Sequence, residues 1–166
     1  MSRRLERSGC PINLTTELLG DSWSLVVLRD VMFGGPRHFS GLHRDSLEGI
    51  ATNILASRLE HLLDAGLLSK HPDPGHRQRS IYRLTESAID LVPVMATLGA
   101  WGSRWLPVTD ELAARALVLA EGGPAMWSQF MDELRTVHLG APAHDPGGAS
   151  VHERLAEAFE RARAET

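Results

Sequence analysis

The chain has 166 residues, which is enough for one sizeable hydrophobic core or for one core with a small appendage. Its 43% hydrophobic and 23% charged residues are typical of an ordinary globular protein, and its apolar runs are too short to span a membrane. A single cysteine, Cys10, excludes an internal disulfide framework, and no apolar segment follows the basic N-terminus as in a secretory signal, so we expect a cytoplasmic protein.

The net charge of −4 is unevenly distributed along the chain. Residues 1–106 carry 12 Lys/Arg and 11 Asp/Glu, a balance of +1, whereas residues 107–166 carry 5 and 10, a balance of −5. Within residues 70–83, four basic residues face one acidic residue, a balance of +3. Because salt screens surface fields over about 8 Å, a phosphate senses this local charge rather than the net charge.

Two helices are predicted near the start of the chain. Residues 1–9 form a loose arm, and Pro11–Leu19 has the apolar spacing of a helix. Trp23–Phe33 is apolar almost all round, which predicts a buried central helix that Asp21 or Ser22 can cap.

Residues 39–85 carry the pattern of a winged helix-turn-helix. A short helix, Phe39–Asp45, is separated by a break from a strongly periodic helix, Ile50–Ala65. Two strand-like runs follow at residues 67–71 and 80–85, joined by a basic turn at residues 72–79. This order supplies one helix for the major groove of DNA and a cationic loop for its backbone.

The rest of the chain is predicted to be helical. Glu86–Leu106 has apolar residues at helical spacing, and Pro93 is expected to kink or loosen its first turns. Beyond it we predict a flexible linker near residues 139–149 and three more helices: Asp110–Glu121, Ala125–His138 and Val151–Ala164.

The predicted fold class is mainly α with a small β-hairpin wing. Residues 1–106 are expected to form a winged helix-turn-helix domain for DNA binding and dimerisation, and residues 107–166 a helical C-terminal extension. The extension contains one broad apolar face at helical spacing, made by Met126, Trp127, Phe130, Met131 and Leu134. Such a face is not stable in water on an isolated helix, so we expect it to cover helix 86–106 of its own or a partner subunit.

The helix Ile50–Ala65 is the predicted recognition helix. On a helical wheel its core face comprises Ala51, Leu55, Leu59 and Leu62. Asn53 and Ser57 lie opposite this face, with Thr52 and Ala56 on one shoulder. The exposed part of the first half is therefore small and polar, and we predict base contacts from these four residues. An asparagine can read adenine through two hydrogen bonds, and threonine or alanine methyls can touch thymine. The alternative is an ordinary amphipathic helix with a solvated side. The position of helix Ile50–Ala65 between a short helix and a basic hairpin favours the DNA-binding interpretation.

Four arginines are predicted to contact phosphate: Arg37, Arg58, Arg77 and Arg79. Each neutralised phosphate releases counterions and adds about 0.9 to the salt slope of binding. One of the two wing arginines could instead enter the minor groove. The competing class is a winged-helix protein-interaction module that does not bind DNA, for which the acidic net charge is the best argument.

Other chemistry is weakly represented in the sequence. Cys10 precedes a predicted helix, where a thiolate is favoured, so it is a candidate redox sensor; an inert cysteine is the alternative. The pairs His38/His43 and His71/His76 lack the further ligands of a metal site. No phosphate-binding glycine loop or catalytic constellation occurs, so we expect neither a cofactor nor an enzyme.

A set of short motifs resembles the HxlR family of bacterial winged helix-turn-helix regulators, relatives of the MarR group. The matching motifs span residues 10 to about 105 and include Cys10-Pro11, Leu19-Gly-Asp-Ser-Trp23, Gly35-Pro-Arg-His-Phe-Ser-Gly-Leu42, Tyr82-Arg-Leu-Thr85 and Trp101-Gly102. The resemblance implies a homodimeric, sequence-specific regulator of transcription that binds a palindromic operator. In some members the cysteine that matches Cys10 senses electrophiles or oxidants, which makes a small molecule or an oxidant a candidate effector.

The resemblance also implies that dimerisation involves the N-terminal segment and the helix after the wing. The residues expected there are Leu14, Leu18, Leu91, Met95, Leu98, Trp101 and Trp105. Two departures from the family pattern stand out. Ala51 replaces the serine or threonine that often caps the recognition helix, a loss of about 1 kcal/mol unless another group caps it. Residues 107–166 extend well beyond a typical member.

Overall fold

A computed structural model describes residues 8–143 and 147–165, without the side chain of Arg77. The chain forms two compact units that divide between Tyr82 and Arg83. Most of the predicted N-terminal arm and the middle of the predicted linker lie outside the described residues.

The first unit begins with helix α1, Pro11–Leu19, and helix α2, Ser24–Gly34. Helix α1 has the predicted bounds. Helix α2 begins after Asp21, whose carboxylate accepts hydrogen bonds from the backbone N–H groups of Trp23 and Ser24 at 2.8 and 3.0 Å. These bonds satisfy donors for which the first turn of a helix has no internal partner. The predicted burial of this helix is confirmed at Val27, Leu28, Val31 and Met32.

Helices α3, Phe39–Arg44, and α4, Thr52–Asp64, form the helix-turn-helix. Gly49 in the connecting turn has φ +66°, a conformation that glycine adopts without strain. Gly66 ends α4 with φ +70°. The N–H groups of Gly66 and Leu67 donate to the carbonyls of Leu63 and Leu62 at 3.0 and 2.9 Å, which is the Schellman ending of a helix.

The core face of α4 is confirmed at Leu55, Leu59 and Leu62, which are all buried. The prediction that Ala51 joins them is wrong, because Ala51 is exposed. It is the N-cap residue with extended backbone (φ −69°, ψ 145°), so the angular spacing of a helix does not extend to its side chain. No side-chain hydrogen bond caps the helix at this position.

The wing is a three-stranded sheet with the order β1-β3-β2. Its strands are β1, Arg37–His38, β2, Leu68–Asp73, and β3, His76–Leu84. Strand β1 runs antiparallel to β3, with Arg37 opposite Tyr82 and His38 opposite Ile81. The predicted basic turn at residues 72–79 is too long, because both strands continue until only Pro74 and Gly75 remain between them. Asp73 fixes this tight turn by accepting a 2.8 Å hydrogen bond from the N–H of Gly75.

The second unit contains the end of β3 and a set of helices: α5, Glu86–Ile89; α6, Val92–Trp105; α7, Asp110–Glu121; α8, Gly123–Leu139; and α9, Val151–Glu165. The expectation of one helix from residue 86 to 106 is wrong, since the chain turns at Asp90–Leu91. Pro93 lacks an N–H and therefore lies in the first turn of a new helix, where no such donor is needed.

The apolar face of α8 is covered within the chain. Met126, Phe130 and Leu134 are buried, and the helix packs against α5, α6, α7 and α9. Trp127 is half-buried, and its indole N–H donates to the carbonyl of Leu119 at 2.7 Å. The expectation that this face covers part of the segment 86–106 of its own subunit is thus met by α5 and α6.

Candidate nucleic-acid interface

The N-terminal half of α4 presents small polar side chains to solvent. Thr52, Asn53, Ala56 and Ser57 are all exposed; Asn53 and Ser57 lie opposite the buried leucines, and Thr52 and Ala56 lie on the adjacent flank. None of the four has a long side chain that would hold a base edge at a distance. The structure therefore brings the predicted base-contacting residues together on one accessible surface, which we call the reading face.

The wing exposes a set of polar and cationic side chains: Lys70, His71, His76, Gln78 and Arg79. Lys70 lies with its Nζ 5.8 Å from the centre of the Tyr82 ring, a cation–π contact. Arg77 lies in β3 between two exposed residues. Arg83 belongs to the second unit, where its guanidinium donates to the carbonyl of Val137 at 2.7 Å.

His38 joins β1 to both strands of the wing. Its Nδ1 lies 3.0 Å from the carbonyl oxygen of Ser80 in β3, and its Nε2 lies 3.2 Å from the carboxylate of Asp73 in β2. Asp73, the acidic residue next to the turn of the wing, is thus held by His38 and by the N–H of Gly75. These contacts fix the position of the two-residue turn that carries the wing tip.

Arg37 lies at the start of the short helix, as predicted, but it has protein partners. Its guanidinium binds the carboxylate of Asp45 and donates to the carbonyl of Gly34 at 3.2 Å. Asp45 also binds Arg44 at 2.7 Å, and this hydrogen bond holds the pKa of the Asp45 carboxyl below its usual range. Two guanidinium groups therefore share one carboxylate, which leaves the cluster with positive charge available to a phosphate.

Arg58 is also engaged within the protein. Its Nη1 lies 3.1 Å from the Asp21 carboxylate, and the two side chains are 28% and 33% exposed, so neither is fully solvated. Asp21 further accepts hydrogen bonds from the Ser24 hydroxyl and from two backbone N–H groups. Burial opposes ionisation of Asp21, but these bonds and Arg58 outweigh it and lower its pKa to about 2.

A second ion pair, which no pattern in the sequence indicated, ties α2 to the turn of the helix-turn-helix. Arg29 donates from Nη1 and Nη2 to the two carboxylate oxygens of Glu48 at 2.7 and 2.8 Å. This bidentate bond lowers the pKa of Glu48. Arg29 also binds Asp30 at 2.7 Å. The only signal in the sequence was a charged pair on an otherwise apolar helix, and nothing pointed to a partner 19 residues away.

The residues expected at a dimer interface remain partly uncovered. In the first unit, Leu14 is 37% exposed and α1 buries only Leu19. In the second unit, one side of α6 leaves Leu98, Trp101 and Trp105 49%, 56% and 63% exposed. The other predicted residues, Leu18, Leu91 and Met95, are half-buried. Large apolar side chains that stay this accessible on one helix side are typical of a surface that another chain covers.

Cys10 is exposed and is the N-cap residue of α1. Its carbonyl accepts a 3.0 Å hydrogen bond from the N–H of Leu14, which fixes the backbone at the start of the helix. Across residues 8–143 and 147–165, none of the helices has the length and apolar character to cross a membrane. Over the same residues, no three His, Cys, Asp or Glu side chains are grouped to hold a metal ion.

A pair of helices joined by a glycine turn, combined with a cationic three-stranded wing, defines the class of winged helix-turn-helix proteins. Residues 18–110 match the HxlR-like helix-turn-helix family. The chain belongs to this family, whose members are transcriptional regulators, and the predicted fold class is confirmed.

Individual relatives agree with this assignment. The uncharacterized HTH-type transcriptional regulator Rv3095 of Mycobacterium tuberculosis is 37% identical over 107 residues, which is 64% of this chain and 65% of the relative. This chain thus matches slightly less than two thirds of the length of that relative. The crystal structure of PA1607, a candidate transcription factor, is 31% identical with a TM-score of 0.56 and covers 63% of this chain and 71% of its own. The structure of the reduced form of the transcriptional regulator YodB from B. subtilis is 26% identical in sequence, with a TM-score of 0.50. The match covers 59% of this chain and 95% of the YodB chain.

Proposed function

We propose that this protein is a cytoplasmic, sequence-specific DNA-binding regulator of transcription that binds a palindromic operator as a homodimer. The observation that supports this most directly is the reading face of α4, which is accessible and free of long side chains. It lies in the same compact unit as the wing, whose exposed residues include Lys70 and Arg79. An accessible polar helix and a cationic hairpin are the two parts with which winged helices bind duplex DNA.

Sequence would be read by the first two turns of α4 in the major groove. Asn53 is the residue best suited to a bidentate contact with adenine, since its amide offers both a donor and an acceptor. Ser57 can donate or accept one hydrogen bond, and the methyl groups of Thr52 and Ala56 can contact thymine.

Phosphate binding would come from the wing and from the start of α3. Arg77 and Arg79 in β3 would contact the backbone or the minor groove, and Arg37 would share its charge between Asp45 and a phosphate. Each such contact adds about 0.9 to the salt slope. Arg58, predicted from the sequence as a fourth phosphate contact, is held by Asp21 and is given a different role below.

Dimerisation would cover the accessible apolar residues of α1 and α6. Exposed Trp101 and Trp105 are the strongest argument, since tryptophan is enriched where proteins associate. A homodimer with two-fold symmetry places two copies of α4 on two half-sites of an inverted repeat. The division into a DNA-binding and dimerisation domain, residues 1–106, and an extension, residues 107–166, is part of this proposal.

Cys10 is proposed as a sensor of oxidants or electrophiles. The thiol is accessible and lies at the first turn of α1, a helix expected at the dimer interface. The YodB structure that this chain resembles is that of a reduced form, so a regulator of similar fold has a defined redox state. A modified Cys10 would alter the packing of α1 and thereby the spacing of the two reading faces.

The principal test is operator binding as a function of salt. DNA upstream of the gene is searched for an inverted repeat by footprinting, and affinity for that site is measured by fluorescence anisotropy between about 50 and 200 mM salt, as orders-of-magnitude changes are expected in this range. Binding should weaken steeply with salt, and sedimentation should show a dimer at micromolar concentration. A monomer, or affinity indifferent to salt, would instead favour a winged-helix protein-interaction module.

The proposal that Cys10 is a sensor is tested by comparing the wild type with Cys10→Ser. Wild type and Cys10→Ser are titrated with operator before and after treatment with diamide or a quinone. We expect treatment to weaken binding of the wild type alone. Equal sensitivity of the two proteins would remove Cys10 from the mechanism.

A further inference from the structure

We propose that Arg58 and His61 are positioning residues that fix the orientation of the reading face by anchoring α4 to the connection between α1 and α2. This inference rests on the proposed function, because it assigns a role in operator recognition. It replaces the phosphate contact predicted for Arg58 with a contact inside the protein.

Arg58 provides the first anchor. Its Nη1 lies 3.1 Å from the carboxylate of Asp21, which at the same time holds the N–H groups of Trp23 and Ser24 at the start of α2. The carboxylate is therefore immobilised by α2 and offers Arg58 a fixed point. Another nitrogen of the same guanidinium, Nη2, donates to the Ser57 hydroxyl at 3.2 Å, so Arg58 directly orients one residue of the reading face.

His61 provides the second anchor. Its Nε2 donates to the carbonyl of Leu18 at 2.8 Å. This carbonyl belongs to the last turn of α1, where carbonyl groups have no partner within the helix. The hydrogen bond joins residues that are 43 positions apart in the sequence.

The two anchors act as a pair because Arg58 and His61 are three residues apart and lie on the same side of α4. They bind the last turn of α1 at Leu18 and the connection to α2 at Asp21. Two separate contacts resist rotation of the helix about its own axis, in addition to the packing of its buried leucines. Since base contacts require side chains to be placed within a fraction of an ångström, we expect loss of an anchor to reduce discrimination between sequences rather than affinity for DNA in general.

The decisive variants are Arg58→Ala, Asp21→Asn and the double variant, with Arg161→Ala on the exposed side of α9 as the matched arginine control. Asp21→Asn keeps an oxygen for the two backbone N–H groups and removes the charge that holds Arg58. Affinity for the operator and for a random duplex is measured at several salt concentrations. We expect both single variants to lower the operator-to-random ratio on the order of 10-fold, with an unchanged salt slope, and the double variant to be no worse than either.

A phosphate-binding Arg58 gives the opposite pattern. Arg58→Ala would then weaken binding to the operator and to the random duplex alike, and it would lower the salt slope by about 0.9 for each phosphate that is no longer neutralised. Asp21→Asn would strengthen binding, because it would release the arginine toward the DNA. Either result overturns the positioning role.

His61 is tested by a conservative pair of variants. His61→Gln keeps a side-chain N–H that can reach the Leu18 carbonyl, whereas His61→Leu removes the donor. We expect the glutamine variant to retain the operator-to-random ratio and the leucine variant to lose it. Equal ratios in the two variants would contradict the anchor.

A measurement without DNA separates failure of this inference from failure of the proposed function. Amide hydrogen exchange of α4 is followed in the free wild type, Arg58→Ala, Asp21→Asn and Arg161→Ala. Faster exchange in the first two variants, but not in the control, supports the anchors even if the protein binds no duplex. Exchange rates that are unchanged in both variants overturn the anchors, even if the protein binds duplex DNA.

Discussion

Helices α4 and α8 are both amphipathic, but the residues outside the buried face are largely exposed in α4 and mostly half-buried in α8. Helix α4 buries Leu55, Leu59 and Leu62 and presents small polar groups opposite. Helix α8 is enclosed by α5, α6, α7 and α9. Its charged residues bind those neighbours: Arg135 contacts Glu86 at 2.6 Å, and Glu133 accepts the N–H of Val151 at 2.7 Å.

The difference shows that periodicity alone does not distinguish a reading helix from a packing helix. What distinguishes them is the kind of residue opposite the core. Small side chains such as Asn53 and Ser57 leave room for a base edge, whereas the long ionic side chains of α8 reach to other helices. Substitutions on the two helices test this difference.

The largest effect is expected from Phe130→Ala in α8. Phe130 is 1% exposed, so truncation leaves a cavity among the helices that pack against α8. We expect a loss of about 3–5 kcal/mol of unfolding free energy, measured by urea denaturation. Leu139→Ala at the exposed end of the same helix is the control. A cost below about 1 kcal/mol would mean that α8 is not enclosed as described.

The next effect is a dependence of stability on pH that differs between the two units. Burial, with a smaller contribution from Arg83, lowers the pKa of His138 from 6.5 to about 4. His138 therefore binds a proton below pH 6.5 in the unfolded chain but only below about pH 4 in the folded chain. The free energy of unfolding decreases as the pH drops through this window. The expected loss at pH 4 is about 3 kcal/mol.

Asp21 in the first unit behaves differently. Its folded pKa of about 2 lies below the ordinary value of 3.8, so its contribution is lost only as the pH falls through that lower window. We expect His138→Gln to remove the pH dependence between 6.5 and 4, and exposed His43→Gln to leave it unchanged. Identical slopes in wild type and His138→Gln would contradict the assignment.

A third prediction separates the reading face from the wing. Asn53→Ala should cost about 1–3 kcal/mol on the operator and little on random DNA, because Asn53 is expected to bind a base. Arg79→Ala should weaken both and reduce the salt slope by about 0.9 for each wing, because Arg79 is expected to bind phosphate. Anisotropy titrations on both duplexes measure this, with Arg161→Ala as the control for charge. Equal patterns for the two variants would refute the division of roles.

The smallest effect is a gain. Ala51 is the N-cap of α4 without a capping side chain, and its backbone already has the extended conformation of a cap. Ala51→Ser should stabilise the protein by about 1 kcal/mol by accepting an N–H of the first turn. Ala56→Ser, within the same helix, is the matched control and should bring no gain. A stability unchanged by Ala51→Ser would show that solvent already satisfies this helix end.

Local patterns in the sequence were sufficient for much of the fold. The bounds of α1 and α7 and the buried leucines of α4 follow from apolar spacing, because spacing reflects the geometry of a single helix. Strand β1 was missed because two residues are too few to show alternation. The break before α6 was placed only as a kink, since Pro93 shows that a helix is disturbed but not on which side it ends.

The exposure of the reading face could be predicted from the sequence, but the ion pairs and hydrogen bonds around it could not. Thr52, Asn53, Ala56 and Ser57 were correctly expected to be accessible because they share one side of a helix. The partners of Arg58 and Arg29 were not predictable, because an ion pair between residues far apart in sequence leaves no periodic trace. The burial of His138 was missed for the same reason: its acceptor role at Leu84 spans 54 residues.

The hydrogen bond at Leu84 has a consequence for shortened forms of the chain. Leu84, the last residue of β3, is fully buried, and its N–H donates at 3.1 Å to Nδ1 of His138. A ring nitrogen of His138 in α8 is therefore the acceptor for the last backbone amide of β3. A chain cut at residue 106 lacks this acceptor, and if the Leu84 N–H then stays buried without another partner the cost is about 1–3 kcal/mol. The extension thus completes the hydrogen bonding of the last residue of β3.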